Sequence, residues 1–247
     1  YAMKKSISLI FFFSALCSFV MSQDLTEVLN SHFKAIGQEK LTTVNSMKTT
    51  GKTITQGMEL DFDIFTLRPE KFKLEVDIQG AKMIQAFDGE KGWFVAPWTG
   101  SLDPIEISGV QLKSIKQQAN MDGMLYNYAE KGYTTELLGK EDMEGTEVFK
   151  IKQTDKDGDV YYYFIDAENF VLLKTSSKVK MGESEIESET FYSNYKEFEG
   201  MLMAYSFESK TNGQTMSQIN IETVELNPEI DPAIFTMPAK QEVPAEK

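Results

Sequence analysis

One cysteine, one histidine and one arginine stand in a chain that carries 38 acidic residues. A lone cysteine, Cys17, cannot close an intrachain disulfide, so such a chain holds its fold by core burial. A lone histidine, His32, leaves most nucleophile–base pairs impossible to assemble and has no partners in the sequence for a metal site. Because Arg68 is the only arginine, the remaining cations are lysines, which lack the planar fork favoured in specific phosphate or base recognition. The formal net charge of −13 repels phosphate backbones and anionic lipid headgroups. Nucleic acid is therefore excluded as a partner. The chain also lacks Gly-x-Ser-x-Gly, His-Glu-x-x-His, P-loop and Gly-x-Gly-x-x-Gly motifs, whose residue types build nucleophile elbows, zinc sites and phosphate cradles.

One acidic stretch imitates a motif. Asp155-Lys-Asp-Gly-Asp159 begins like a calcium loop, but Gly158 comes fourth instead of sixth and the segment runs straight into Val160–Ile165. A hairpin turn with solvated acids is expected. Paired carboxylates are the acid–base chemistry that composition leaves open, yet the acids fall on wet strand faces and turns. The expectation is a protein that is not an enzyme, with no cofactor and no metal.

The one long apolar run lies at the start. Met3-Lys4-Lys5 is a basic flank, Ile7–Val20 is apolar, and Val20-Met21-Ser22 places small-to-medium residues at a signal-peptidase site. The run is shorter than the roughly 20 residues that span a bilayer. It predicts a secretory signal over residues 1–22, cut before Gln23, with Tyr1-Ala2 ahead of the true start. Cys17 follows Leu16 instead of the small residue that lipidation wants, and reads as one more apolar residue. Cleavage removes Lys4 and Lys5 and no acid, taking the net charge to −15. No linker or repeat divides the remaining chain, so one domain is expected over residues 23–239, with a frayed tail at 240–247.

Within that domain, Leu25, Val28, Leu29, Phe33 and Ile36 recur at three- and four-residue spacing, which predicts a helix capped by Asp24 and ended by Gly37. His32 falls beside this stripe. A short second helical turn is expected over Gln38–Thr43. The period then changes. Leu60, Phe62 and Ile64 alternate with acids, and Phe72, Leu74 and Val76 alternate with charges, the pattern of strands with one dry and one wet face. By parity Arg68 continues the dry face of the first run. Closely spaced turns, such as Asp88–Gly92, Lys140–Gly145 and Glu197–Gly200, separate segments rich in β-branched and aromatic residues. They predict an antiparallel meander of ten or eleven strands. Between Pro104 and Gly132 the helical spacing returns, divided at Asp122-Gly123, and predicts two short helices inserted into the β chain.

TLRPEKFKLEV (Thr66–Val76), AFDGEKGWFVAP (Ala86–Pro97) and INIETVELNPEIDPAIFTMP (Ile219–Pro238) together resemble the outer-membrane lipoprotein-sorting family, similar to the periplasmic carrier LolA and the receptor LolB. The resemblance covers residues 24–238 loosely, and these three stretches carry its specificity. It implies a mainly β fold: an incomplete, unclosed antiparallel β-barrel of about eleven strands, lined with apolar side chains and lidded by short helices. It implies a periplasmic carrier in a Gram-negative envelope, with lipoprotein or lipid cargo, an inner-membrane release complex and an outer-membrane acceptor. Arg68 takes the position of the arginine that in the carrier lies inside, bonds to the lid and governs opening; an ordinary strand-end arginine is the alternative. The implied lipid-binding face comprises Leu60, Phe62, Ile64, Phe72, Leu74 and Val76. One of Trp93 and Phe94 is expected to face the cavity and Trp98 to sit at its rim, against the alternative that all three are core and edge aromatics. A sensor or interaction module that uses the same fold to recognise envelope proteins stays open as a second class, and a structural β-protein with a filled interior as a third.

Overall fold

The computed structural model describes residues 24–181 and 184–239; the expected signal segment, Cys17 and the tail lie outside them. Helix α1 (Leu25–Ile36) starts where Asp24 accepts the Glu27 amide at 2.8 Å and stops at Gly37, whose φ of +72° is left-handed. A single turn, α2 (Gln38–Leu41), comes next. Six strands succeed it: β1 (Ser46–Thr55), β2 (Met58–Leu67), β3 (Lys71–Ile78), β4 (Ala81–Phe87), β5 (Gly92–Val95) and β6 (Ile105–Ile107). After helix α3 (Gly109–Ala119) come β7 (Thr134–Met143), β8 (Thr146–Thr154), β9 (Val160–Asp166), β10 (Leu172–Met181), β11 (Ser184–Phe198), β12 (Met201–Thr211) and β13 (Gln214–Leu226).

These strands form one 13-stranded antiparallel sheet in the order β6-β5-β4-β3-β2-β1-β13-β12-β11-β10-β9-β8-β7. Two meanders, β1–β6 and β7–β13, are thus joined by the β1–β13 pairing, and β6 and β7 are the two edges of an unclosed sheet. The chain between those edges is α3 and the loop after it. Since β6 and β7 lie at opposite ends of the sheet, that connection has to cross one sheet face, which makes it a lid by topology. Helix α1 and the lid loop cover the same inner face, where Val28, Leu29 and Leu125 pack with Phe149, Ile151 and Ile165. Ile115 and Ala119 of α3 pack on Phe72, Phe87 and Ile107. The outer face is bridged by cross-strand ion pairs such as Lys52–Glu59 and Lys174–Glu189.

The fold is mainly β and unclosed, as expected, with two or three more strands. The additions include β1, whose SMKTTGKTIT is polar on both faces, and β6, whose three residues are too few to establish a period. The second inserted helix does not form. Positive φ at Gly123 (+73°), Asn127 (+50°) and Gly132 (+80°) interrupts the helical ladder three times within ten residues, so 121–132 is a run of turns that still buries Leu125. Among the described residues no helix is long and apolar enough to cross a membrane.

Candidate functional site: an apolar hollow under a latched lid

Cross-strand register builds the site. Phe62 opposes Val76, Ile64 opposes Leu74 and Thr66 opposes Phe72, so the alternating apolar residues of β2 and β3 fall on one face. That is the inner face, and it does not meet the lid everywhere. A hollow of about 800 Å³ remains, lined by Leu60, Phe62, Ile64, Phe72, Leu74 and Val76. Its volume lies within the roughly 300–1,000 Å³ of pockets that bury small molecules. Ile219 and Ser217 of β13 wall one side and Gln118 of α3 borders the lid side. Two methionines, Met58 and Met83, add flexible thioethers. Trp98 lines the hollow with 69% of its surface exposed, which places it at the rim.

The aromatic pair after the Asp88 hairpin divides between the two faces. Asp88 Oδ1 accepts the amides of Glu90 and Lys91 at 2.9 and 2.8 Å, which sets the turn and the parity of β5. Phe94 opposes Gln85 and packs with the Phe72–Phe87–Ile115 cluster beneath α3. Trp93 opposes Ala86 on the outer face. It is 2% exposed, and its indole N–H donates to the Phe235 carbonyl at 2.8 Å. The turn Pro232–Phe235 and Met237 cover it from outside. Trp93 therefore belongs to an outer satellite core and not to the hollow, because strand alternation sends neighbouring residues to opposite faces.

Arg68 lies just past the end of β2 and does not line the hollow. Its guanidinium forks onto Asp122: Nη1 donates to Oδ2 at 2.7 Å and Nη2 to Oδ1 at 2.6 Å. Nε donates to the Val44 carbonyl at 2.6 Å and Nη2 also to Leu41 at 3.1 Å. One side chain thus ties the segment after α2 to the lid loop. Side-chain exposures of 23% for Arg68 and 21% for Asp122 leave the pair partly shielded, so it is stronger than a surface ion pair and still open to water. Sequence spacing does not mark Asp122 as the partner acid; its one signal is the Asp122-Gly123 dipeptide that breaks the helical pattern. A second tie joins α3 to the β8–β9 turn. Lys113 is paired with Asp155 and reaches Asp157 at 3.0 Å and Asp159 at 2.5 Å. The stretch that imitates a calcium loop is a hairpin turn, with Asp155 Oδ1 accepting the amides of Asp157 and Asp159 at 2.9 Å, and its acids converge on this ammonium.

His32 is buried and structural in its contacts. Nδ1 donates to the Phe170 carbonyl at 2.7 Å, tying α1 to the β9–β10 turn.

A family model described as "uncharacterized protein" matches residues 71–239. No curated protein sequence matches the chain. Among solved structures, a LolA superfamily protein from Nitrosomonas europaea superposes with a TM-score of 0.60 at 12% identity, covering 87% of this chain and 98% of that one. A DUF1329 family protein from Desulfovibrio piger gives 0.61 at 13% identity, over 85% and 97% of the two chains. A domain assigned to outer membrane lipoprotein sorting, from Vibrio parahaemolyticus, gives 0.57 at 12% identity, over 84% and 97%. At such identities the likeness speaks for the fold and leaves the activity to the site. The chain belongs to the family whose model spans its residues 71–239, and its fold is similar to that of the LolA superfamily structure.

Proposed function

We propose that this protein is a periplasmic carrier that shields acyl chains of a lipoprotein or another lipid and hands them on toward the outer membrane. In this reading residues 1–22 are removed on export and residues 23–239 work as one unit. An inner-membrane complex loads the hollow and an outer-membrane acceptor empties it. The observation that carries the proposal is the hollow of about 800 Å³ whose floor is six apolar side chains of β2 and β3. A sheet face buried only for stability would be filled by the lid, as it is beside the hollow where Ile115 and Ala119 pack on Phe87 and Ile107.

Energetics sets two demands. A chain leaving water gains about 0.8 kcal/mol per methylene, so a dozen carbons amount to roughly 10 kcal/mol. An apolar floor meets the first demand, shielding. The second is release, which needs a lid with few ties. Arg68 and Asp122 make the charged tie of the lid loop, and Arg68 acts as the gate: breaking its fork leaves the loop held by Leu125 and by the bonds of Gln38 and Gln153 to its carbonyls, without disturbing the strands.

The test uses a fluorescent fatty acid and the purified exported protein. Leu74→Asp places a charge on the floor and is expected to weaken probe binding at least tenfold with the circular dichroism unchanged. Undiminished binding by this variant would remove the hollow as the lipid site. Arg68→Leu is expected to speed transfer of the bound probe to acceptor vesicles several-fold, with a smaller effect on the denaturation midpoint. Equal transfer rates in the two proteins would remove the gate.

A further inference from the structure

A second compartment lies on the same inner face, over β9–β11, and its chemistry differs from the first. It measures about 430 Å³, and its lining holds hydroxyl, amide and apolar side chains with no charged residue. In a chain with 26% charged residues that neutrality needs a cause. The strands themselves show it is specific to one face. Along β10 and β11 the outward positions are Lys174, Ser176 and Lys178 with Glu187, Glu189 and Phe191, four of the six charged, while the inward positions between them are Thr175, Ser177, Ser188 and Thr190, flanked by Ile186 and Tyr192, with no charge. Thr175 opposes Thr190 and Ser177 opposes Ser188, so the hydroxyls form two facing rows. The compartment is also framed by a built network. Gln153 is 0% exposed; its Nε2 donates to the Met124 carbonyl at 3.1 Å and to Thr135 Oγ1 at 3.2 Å, and its Oε1 accepts from the Tyr163 hydroxyl at 2.9 Å. Gln117 of α3 donates to the Tyr161 hydroxyl at 3.0 Å from the lid side.

The two compartments are neighbours on the inner face, two strands apart. Tyr192, bordering the hydroxyl compartment, opposes Phe207, and Phe207 opposes Ile219, which borders the apolar hollow. The Tyr192 and Phe207 rings meet edge-on at 5.5 Å. Helix α3 roofs both, with Gln118 over the apolar side and Ser114 and Gln117 over the other. An inner face meant only for core would carry apolar residues on β10 and β11, and one meant only for water would carry the charges that their outer face has. Uncharged hydroxyls do a third thing: they tolerate partial burial and can donate and accept hydrogen bonds to a guest, with Thr175 Oγ1 keeping capacity beyond its 3.3 Å bond to the Tyr192 hydroxyl.

Resting on the carrier reading, we propose that the cargo is an amphiphile with an uncharged, polyhydroxylated head, whose acyl chain lies in the β2–β3 hollow and whose head lies against the hydroxyl rows of β10 and β11. The structure thereby assigns a head-group site separate from the chain site, with Thr175 and Thr190 as selecting residues.

The experiment titrates the exported protein with dodecyl maltoside, dodecylphosphocholine, lauroyl-serine amide and free maltose, each below its micellar concentration, by displacement of the fluorescent fatty acid or by calorimetry. Dodecyl maltoside is expected to bind about tenfold more tightly than dodecylphosphocholine, and free maltose at least a hundredfold more weakly than dodecyl maltoside. In Thr175→Val/Thr190→Val, a substitution that keeps β-branching, the tenfold preference is expected to vanish while the phosphocholine affinity holds, a loss of the size that one or two hydrogen bonds carry. Ser188→Asp supplies a second check, since a carboxylate in the row is expected to favour dodecyltrimethylammonium over the maltoside. Equal binding of all chain-bearing probes, with no change in either variant, would overturn the head-group site while leaving the carrier reading intact. A preference for the lauroyl amide would replace the head class with a peptide, and maltose binding as tightly as dodecyl maltoside would replace the amphiphile with a free saccharide; either overturns the proposal. If no chain-bearing probe binds, both readings fall together.

Discussion

At the scale of single residues, His32 makes a pH-dependent contribution whose sign is set by its surroundings. A carbonyl oxygen can only accept, so Nδ1 carries the proton in the 2.7 Å bond to Phe170. Burial lowers the imidazole below its ordinary 6.5 by more than this hydrogen bond raises it. The folded state therefore prefers the neutral ring. Its contribution is complete above the unfolded value and is lost as pH falls from about 6.5 toward the folded value. The urea midpoint is expected to drop between pH 7 and pH 5.5, and His32→Gln to flatten that slope; a flat wild-type profile would contradict the assignment. Gly37 offers a second case. Its φ is +72°, and a Cβ there would sit 2.3 Å from the Gly200 carbonyl oxygen, whereas a Cβ on Gly200, at φ +82°, meets nothing within 4 Å. Gly200→Ala is expected to cost about 1 kcal/mol, from the left-handed backbone alone. Gly37→Ala adds the clash and is expected to cost about 2–4 kcal/mol, read from denaturant midpoints. Sequence shows why a glycine ends α1; only the fold shows that Gly200 is pressed against it.

Among the elements, the lid is held by few ties, and α3 illustrates their worth. Burial pushes the Asp155 carboxyl up, but the Lys113 ammonium and the Asp157 and Asp159 amides outweigh it and hold the group below its ordinary 3.8. The tie is thus present above that value and lost as pH falls through the folded one. Lys113→Met is expected to raise amide exchange across Gly109–Ala119 about tenfold at neutral pH while β8 and β9 keep their protection. Unchanged exchange in α3 would show that Ile115 and Ala119 anchor the helix without the ammonium. How well each element reads in sequence tracks how local its causes are. The strands β2 and β3 are legible because their alternation of apolar and charged residues mirrors one dry and one wet face. The segment at 121–132 is misread as a helix, since Leu125, Tyr128 and Ala129 have helical spacing whether or not the backbone obeys it. There the burial of Leu125 against α1 and β8, a long-range contact, supplies the apolar pattern.

For the molecule as a whole, an unclosed sheet with a partly vacant inner face predicts a particular response to ligand. A bound chain adds stability by mass action, about 2.7 kcal/mol at one hundred times the dissociation constant. For a domain of this size each kcal/mol moves the melting temperature by roughly 2–4 °C. Saturation with dodecyl maltoside is expected to raise it by about 5–10 °C, and Leu74→Asp to abolish the rise; scanning calorimetry decides. The charge distribution belongs to this scale as well. Acids and lysines pair across the outer face, leaving the two inner compartments as neutral surface of an acidic molecule.

The amino-acid sequence alone determined the class of architecture, the start and stop of α1, the dry face of β2 and β3 and the expectation that this dry face and Trp98 share one hollow, because period and turn chemistry act over a few residues. The tertiary structure alone decided that Trp93 leaves that hollow for the outer face, that Asp122 is the partner of Arg68 and that a hydroxyl compartment adjoins the apolar one. Each of these depends on which strand lies beside which and where the lid crosses the sheet, and such pairings between distant positions are set by the closing of the whole chain.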